Sequence, residues 1–254
     1  MATSALEANT EYYDDKAVHF YKNPAFKRDL MLLTKFNAFA IIRAATLDPK
    51  TTEVLDYACG AGVVSLEVSP LCKSIVGADI SKGMLGEFEK LKAPNMTSKV
   101  IDGTIPPETQ FDGQKFDVIF CCAAYHHFDS PKDMTVSLGK LLKEGGQLIV
   151  TDFASGGHES LMHQHGQPKD SSQGESHGHH HHKHQQHAKS ELPMSDEVLE
   201  KAKTTIVHKH GFASSELEEW MELAGLKRFT FDTFPRVHAF NTDSVAFAAS
   251  AFKV

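Results

Sequence analysis

Basic charge is in deficit in this chain. The 26 Lys and Arg residues face 33 Asp and Glu, a net charge of −7 that offers no basic face, so no nucleic-acid partner is expected. Long apolar runs are missing as well. No stretch approaches the roughly 20 residues of a membrane-spanning helix. The opening MATSALEANTEYYDD has neither the basic start nor the apolar middle of a signal peptide. The expectation is a protein with no membrane span, kept in the cytoplasm. Cysteine is scarce: Cys59, Cys72, Cys121 and Cys122 lie in or beside apolar segments without Cys-x-x-Cys spacing, which predicts buried, reduced thiols in place of a zinc site or a disulfide framework. With 254 residues and 41% hydrophobic content, one large core is favoured over two small ones.

What the chain does have is a distinctive joint. In EVLDYACGAGVVSLEVSP, Glu53 to Pro70, an apolar run ends in an acid, two glycines sit one residue apart, and a second apolar pattern begins. Glu53 to Tyr57 reads as a buried strand, with Val63, Leu66 and Ser69 spaced to line one side of a following helix. Gly60 and Gly62 suit a tight turn with φ > 0 where a ligand meets bare backbone, and the helix start offers N–H groups to polar or anionic atoms. A phosphate-gripping loop would need Lys after Gly62, and the dinucleotide fingerprint would need a third glycine where Ser65 stands. On this stretch alone a plain structural turn competes equally with a binding turn.

Beyond the joint, strands alternate with helical patterns. SIVGAD ends in Asp79, and Met84, Leu85, Phe88 and Leu91 follow at helical spacing. SKVID ends in Asp102. KFDVIFCC is a fourth strand, followed by a helix with Ser130 as N-cap, Pro131 in its first turn and a stripe of Met134, Leu138, Leu141 and Leu142. QLIVTDF is the fifth strand. This order predicts βαβ units and a doubly wound α/β sheet, mostly parallel and covered on both faces. Ligands then bind outside the carboxyl ends of the strands, where Asp56, Asp79 and Asp102 all fall. Asp79 follows Asp56 by 23 residues, a placement suited to accepting hydrogen bonds from both hydroxyls of a ribose.

VLDYACGAG, VGADISKGML, VIDGT, KFDVIFCCAAYHHF and LLKEGGQLIVTDF resemble, in order and spacing, the successive motifs of class I S-adenosylmethionine-dependent methyltransferases, in particular the type 11 or UbiE-like small-molecule group. YYDDKAVHFYKNP and VHKHGFASSELEEWMELAGL resemble flanking segments of that group. The resemblance implies a Rossmann-like seven-stranded sheet with an antiparallel last strand. It implies S-adenosyl-L-methionine as cofactor, with Asp56 and the backbone of Ala58, Cys59, Gly60 and Gly62 at its methionine part, Asp79 with Ile80 at the ribose, and Met84, Asp102 and Gly103 at the adenine. Tyr13 and Cys122 complete the expected cofactor set. The family's first glycine is Ala58 here, an added methyl at the turn.

The sulfonium already activates the methyl group, so transfer to a small-molecule substrate mainly needs a nucleophile held in line. Where the acceptor must lose a proton, His126, His127 and His210 are the candidate bases, with His208 beside them. Structural roles compete for each, and Tyr12 and Tyr13 read equally as packing or as a cover for the cofactor. CCAAY stands where DNA amino-methyltransferases and protein-glutamine methyltransferases carry an Asn/Asp-Pro-Pro-Tyr motif, which disfavours planar amines. Ser155 to Ser190 holds ten of the 16 histidines, a composition that predicts a disordered insertion with possible Zn, Ni or Cu binding and no fixed catalytic metal. The expected organisation is a covering segment (1–50), a cofactor half (51–154), the His-rich insertion (155–190) and a C-terminal half (191–254). In that last part Ser215 with Glu218 forms a capping box, Leu217, Trp220, Met221 and Ala224 a stripe, and KRFTFDTF with SVAFAASAF an antiparallel hairpin. Two functions stay open: methyl transfer to a small molecule, or a non-catalytic metal-binding or regulatory protein on the same fold.

Overall fold

The computed structural model describes residues 4–20, 24–155, 204–239 and 242–254. Apart from Ser155, the expected His-rich insertion lies outside the described residues. Two helices, α1 (Ala5–Phe20) and α2 (Pro24–Ala44), precede the sheet. The alternation then follows: β1 (Glu53–Tyr57), α3 (Val63–Val68), β2 (Ser74–Asp79), α4 (Lys82–Leu91), β3 (Met96–Val100), β4 (Phe116–Cys122), α5 (Pro131–Lys140), β5 (Leu142–Phe153), α6 (Ser214–Leu223), β6 (Leu226–Ala239) and β7 (Thr242–Lys253).

The seven strands form one sheet in the order β3-β2-β1-β4-β5-β7-β6. Every pairing is parallel except those of β7, which runs antiparallel to both β5 and β6. The strands read as continuous apolar runs because consecutive side chains enter two different cores. Leu55, Ile119, Leu148 and Val150 pack with α5 and α6 on one face. Val54, Val118, Phe120 and Ile149 pack with α2, α3 and α4 on the other.

Several local expectations hold. Ser130 caps α5 by accepting the Asp133 N–H, and Leu217 and Met221 are the buried stripe of α6. Three are corrected. The buried face of α3 is Val64, Ser65 and Val68, with Ser69 buried just beyond it as expected, while Leu66 is exposed, because Val64 and Val68 enter the core shared by α2, α4 and the sheet. The N-cap of α6 is Ala213, two residues before the expected Ser215, and Glu216 in place of Glu218 accepts the Ala213 N–H at 2.8 Å. Leu142, expected in the stripe of α5, begins strand β5 instead, and Lys143 to Gly146 form its irregular start, where the register against β4 shifts.

Candidate active site

The strand order reverses between β1 and β4, and the carboxyl ends of the strands around that point carry the chemistry. At the end of β2, Asp79 is buried and turned back toward the β1 joint. Its Oδ2 accepts the Gly60 N–H at 2.8 Å and its Oδ1 the Ser81 N–H at 2.9 Å. One carboxylate thus ties the glycine turn to the start of α4. Burial raises its pKa, opposed by these same N–H bonds. Asp56 is buried on the α3 side of the sheet and accepts the Ser65 hydroxyl at 2.6 Å. Burial pushes its carboxyl up to about 7, against the lowering effect of that bond.

The turn itself is wound left-handed. Ala58 has φ 60°, Gly60 φ 53° and Gly62 φ 75°. The glycines turn out to serve packing as much as access. A Cβ on Gly60 would meet Met84 Cε at 3.0 Å, and one on Gly62 would lie 2.2 Å from the Phe88 ring. Gly77 of β2 faces the same ring at 2.4 Å. Phe88 is therefore seated between two bare backbones, holding α4 against the loop. Cys59, whose N–H reaches the Ala78 carbonyl, and Cys122 are both half-buried beside the α2/α3/α4 core, and Ile80 packs on the opposite core. Burial raises the Cys59 and Cys121 thiols well above the ordinary range, which keeps them neutral. Asp102 stands exposed at the rim, where its Oδ1 accepts from the N–H and hydroxyl of Thr104. The space above Gly103 is filled by Leu6 of α1, 2.3 Å from where a Cβ would stand.

Helix α1 covers this edge. Asp14 accepts the Ser81 hydroxyl at 2.7 Å and the Gly83 N–H at 3.0 Å, a carboxylate at the N-terminus of α4. Asn9 donates to the His127 and Thr205 carbonyls. Tyr13 reaches His127 Nε2 at 3.1 Å and packs against Tyr12 edge-on.

The two histidines after β4 differ sharply. Ala123, with φ 50° and its N–H on the Thr151 carbonyl, turns the chain so that Tyr125 to His127 form a short 3-10 turn anchored by the buried Tyr125 hydroxyl on Thr135. His127 uses both ring nitrogens. Its Nδ1 lies 2.8 Å from the Thr205 carbonyl, which only accepts, so Nδ1 carries the proton and Nε2 accepts from Tyr13. Burial, then the neighbouring His126, pushes its pKa down to about 3. His126 lies against it with ring centroids 4.0 Å apart and planes tilted by 44°, and places Nδ1 at 2.8 and 3.0 Å from the two oxygens of Asp152, leaving Nε2 without a partner among the described residues. His208 donates Nε2–H to the Phe128 carbonyl, while His210 sits on an exposed turn outside this group. Asp14, Ser65, Asn9 and Asp152 escaped the sequence reading. Asp152 had a visible signal, an acid at the carboxyl end of the fifth strand like those of the first three; the others are specified only by tertiary contacts.

A family model described as a methyltransferase domain matches residues 55–150. An uncharacterized methyltransferase of Schizosaccharomyces pombe is 32% identical over 53% of this chain and 50% of its own, and a ubiquinone biosynthesis O-methyltransferase of Pelagibacter ubique is 31% identical over 43% and 45%. The chain spans about half the length of these curated relatives. Among solved structures, a SAM-dependent methyltransferase from Anabaena variabilis superposes with a TM-score of 0.67 at 18% identity over 100% of this chain and 96% of that one. The magnesium protoporphyrin IX methyltransferase of Synechocystis, with bound SAH, gives 0.61 at 14% identity over 97% and 98%. Residues 55–150 thus match a methyltransferase domain, and the seven-stranded sheet around them has the fold of solved S-adenosylmethionine-dependent methyltransferases.

Proposed function

We propose that this protein binds S-adenosyl-L-methionine at the β1 joint and transfers its methyl group to a small organic molecule by in-line displacement. The observation that carries this reading is the Asp79 carboxylate, buried at the carboxyl end of β2 next to the β1 joint and gripping both Gly60 and Ser81. It sets a fixed acceptor beside a left-handed turn, where a ribose is met by a charge and the amino-acid part of the cofactor by bare backbone. Asp56 and the backbone of Ala58 to Gly62 hold the methionine part. Ile80, Met84, Asp102 and Gly103 are assigned to the nucleoside, with Leu6 and Tyr13 of α1 as the cover and Cys122 as part of the floor.

For proton transfer we assign His126. Both nitrogens of His127 are committed, whereas Nε2 of His126 has no partner among the described residues. His210 has no place in this mechanism. The small-molecule substrate is supported by the relatives, which include ubiquinone biosynthesis O-methyltransferases. Among the described residues no helix is long and apolar enough to cross a membrane, and the four cysteines are free thiols, which suits a reducing, cytoplasmic setting. Segments 1–50, 51–154 and 191–254 then act as cover, cofactor half and C-terminal half around the 155–190 insertion, whose histidines remain candidates for Zn, Ni or Cu. Incubation of the full chain with methyl-labelled cofactor and a cell extract, followed by mass identification, should yield a labelled small molecule. Label found in no product, with the cofactor bound, would overturn the catalytic reading.

A further inference from the structure

Asp152 closes β5 in the same way that Asp79 closes β2, yet nothing in the cofactor assignment uses it. Its side chain is wholly buried, and among the described residues it meets no Lys or Arg. Three N–H donors converge on it. Both oxygens face His126 Nδ1 at 2.8 and 3.0 Å, Oδ2 also accepts the His126 N–H at 3.1 Å, and Oδ1 the Phe153 N–H at 2.8 Å. A carboxylate accepts only, so the imidazole facing it holds its proton on Nδ1 and presents a lone pair at Nε2. The ring is held from the sides too, against His127 at 4.0 Å and near Phe153 at 5.9 Å. Its side chain is 12% exposed, which leaves an edge open.

We propose that Asp152 is the positioning residue of a His126 general base, and that the methyl acceptor is therefore a hydroxyl. This rests on the methyltransferase reading above. In the step, an oxygen lone pair attacks the methyl carbon, the C–S bond breaks with its electron pair going to sulfur, and the hydroxyl proton passes to Nε2. A cationic sulfonium and a neutral alcohol become a neutral thioether, a neutral ether and an imidazolium held by the Asp152 carboxylate. Among heteroatom acceptors, a hydroxyl is the one that needs this help. A neutral amine attacks before it loses a proton, and a thiol ionises readily by itself near neutrality, so neither calls for a rigidly held base.

The experiment follows methyl transfer by the full-length protein at one pH to a series of phenols, from phenol to 4-nitrophenol, and to aliphatic alcohols, with a thiol and a tertiary amine as comparators. Asp152→Asn turns an N–H toward Nδ1 and favours the wrong tautomer. It should slow transfer roughly 100-fold or more to weakly acidic hydroxyls and only a few-fold to 4-nitrophenol, which ionises unaided. His126→Gln should show the same gradient. An equal loss across the series would mark the pair as structural, and transfer confined to the thiol or amine, or to none of the series, would overturn the hydroxyl class. Nitrogen-15 histidine spectra of the unmutated protein, with His126 identified by its absence in His126→Gln, keep the proposal testable if Asp152→Asn does not fold: the Nε2–H tautomer at His126 would overturn it. Calorimetric titration with S-adenosylmethionine separates the two levels, since absent binding removes the methyltransferase reading itself.

Discussion

Ala58 occupies a left-handed position, φ 60°, which a Cβ disfavours by roughly 1–2 kcal/mol. Glycine there relieves the strain but enlarges the freedom of the unfolded chain, which offsets part of the gain. Ala58→Gly should accordingly stabilise the protein by up to about 1 kcal/mol, read as a rise in the urea midpoint at unchanged m. A fall in midpoint would show that the methyl makes contacts worth more than the strain. Asp56 gives a pH signature. Its folded-state pKa is raised to about 7 by burial, against roughly 4 in an unfolded chain, so the folded state holds the proton more tightly across that window. Its contribution to stability is therefore fullest below about 4 and is lost as pH rises toward 7. Asp56→Asn stays neutral and can still accept the Ser65 hydroxyl. Relative to the parent it should gain on the order of 2–4 kcal/mol between pH 4 and 7, followed by denaturation at each pH, and a difference that does not grow with pH would contradict the assignment. At this scale the sequence displayed the acids and glycines but not their partners. Asp56 and Asp79 were legible from their places at strand ends. That Ser65 and the Gly60 N–H would meet them depends on how α3 and β2 dock.

Among the elements, the seat of Phe88 between Gly62 and Gly77 sets how closely α4 approaches the joint. Spacing identified Phe88 as a buried helical residue, and glycine spacing identified a turn. That the two explain each other was hidden, because one ring fills the space beside two backbones from different strands' ends. Gly62→Ala puts a methyl 2.2 Å from the ring at φ 75°, combining left-handed strain with overpacking, and should cost about 3 kcal/mol. A midpoint unchanged in thermal melting would show that Phe88 can move aside freely, and the tight seat would have to be abandoned. Helix α3 was misread for a related reason. In six residues, spacing alone could not choose between a face of Val63, Leu66 and Ser69 and the one that is buried, Val64, Ser65 and Val68. The sequence marked the leading segment as a cover and pointed to Tyr12 and Tyr13 as packing or cover, but it did not show that Asn9, Tyr13 and Asp14 make the polar bonds that dock α1.

For the whole molecule, the architecture was the most legible level. Apolar runs of strand length separated by helical stripes, with Gly225 stopping the last helix at φ 76°, leave few ways to cover a sheet on both faces, and the final two runs without a helix between them become the β6–β7 hairpin. The site emerges from that topology, since only the sheet brings Asp79, Gly60 and the β4 turn to one edge. Calorimetric titration of the full chain and of Asp79→Asn with S-adenosylmethionine reads whether this edge holds the cofactor through Asp79. The parent should bind saturably and one-to-one, and binding should weaken roughly 10- to 100-fold in Asp79→Asn as the charged acceptor for the ribose is lost, with both proteins folded by circular dichroism. Equal affinity in the two proteins, or no binding by the parent, would contradict that assignment.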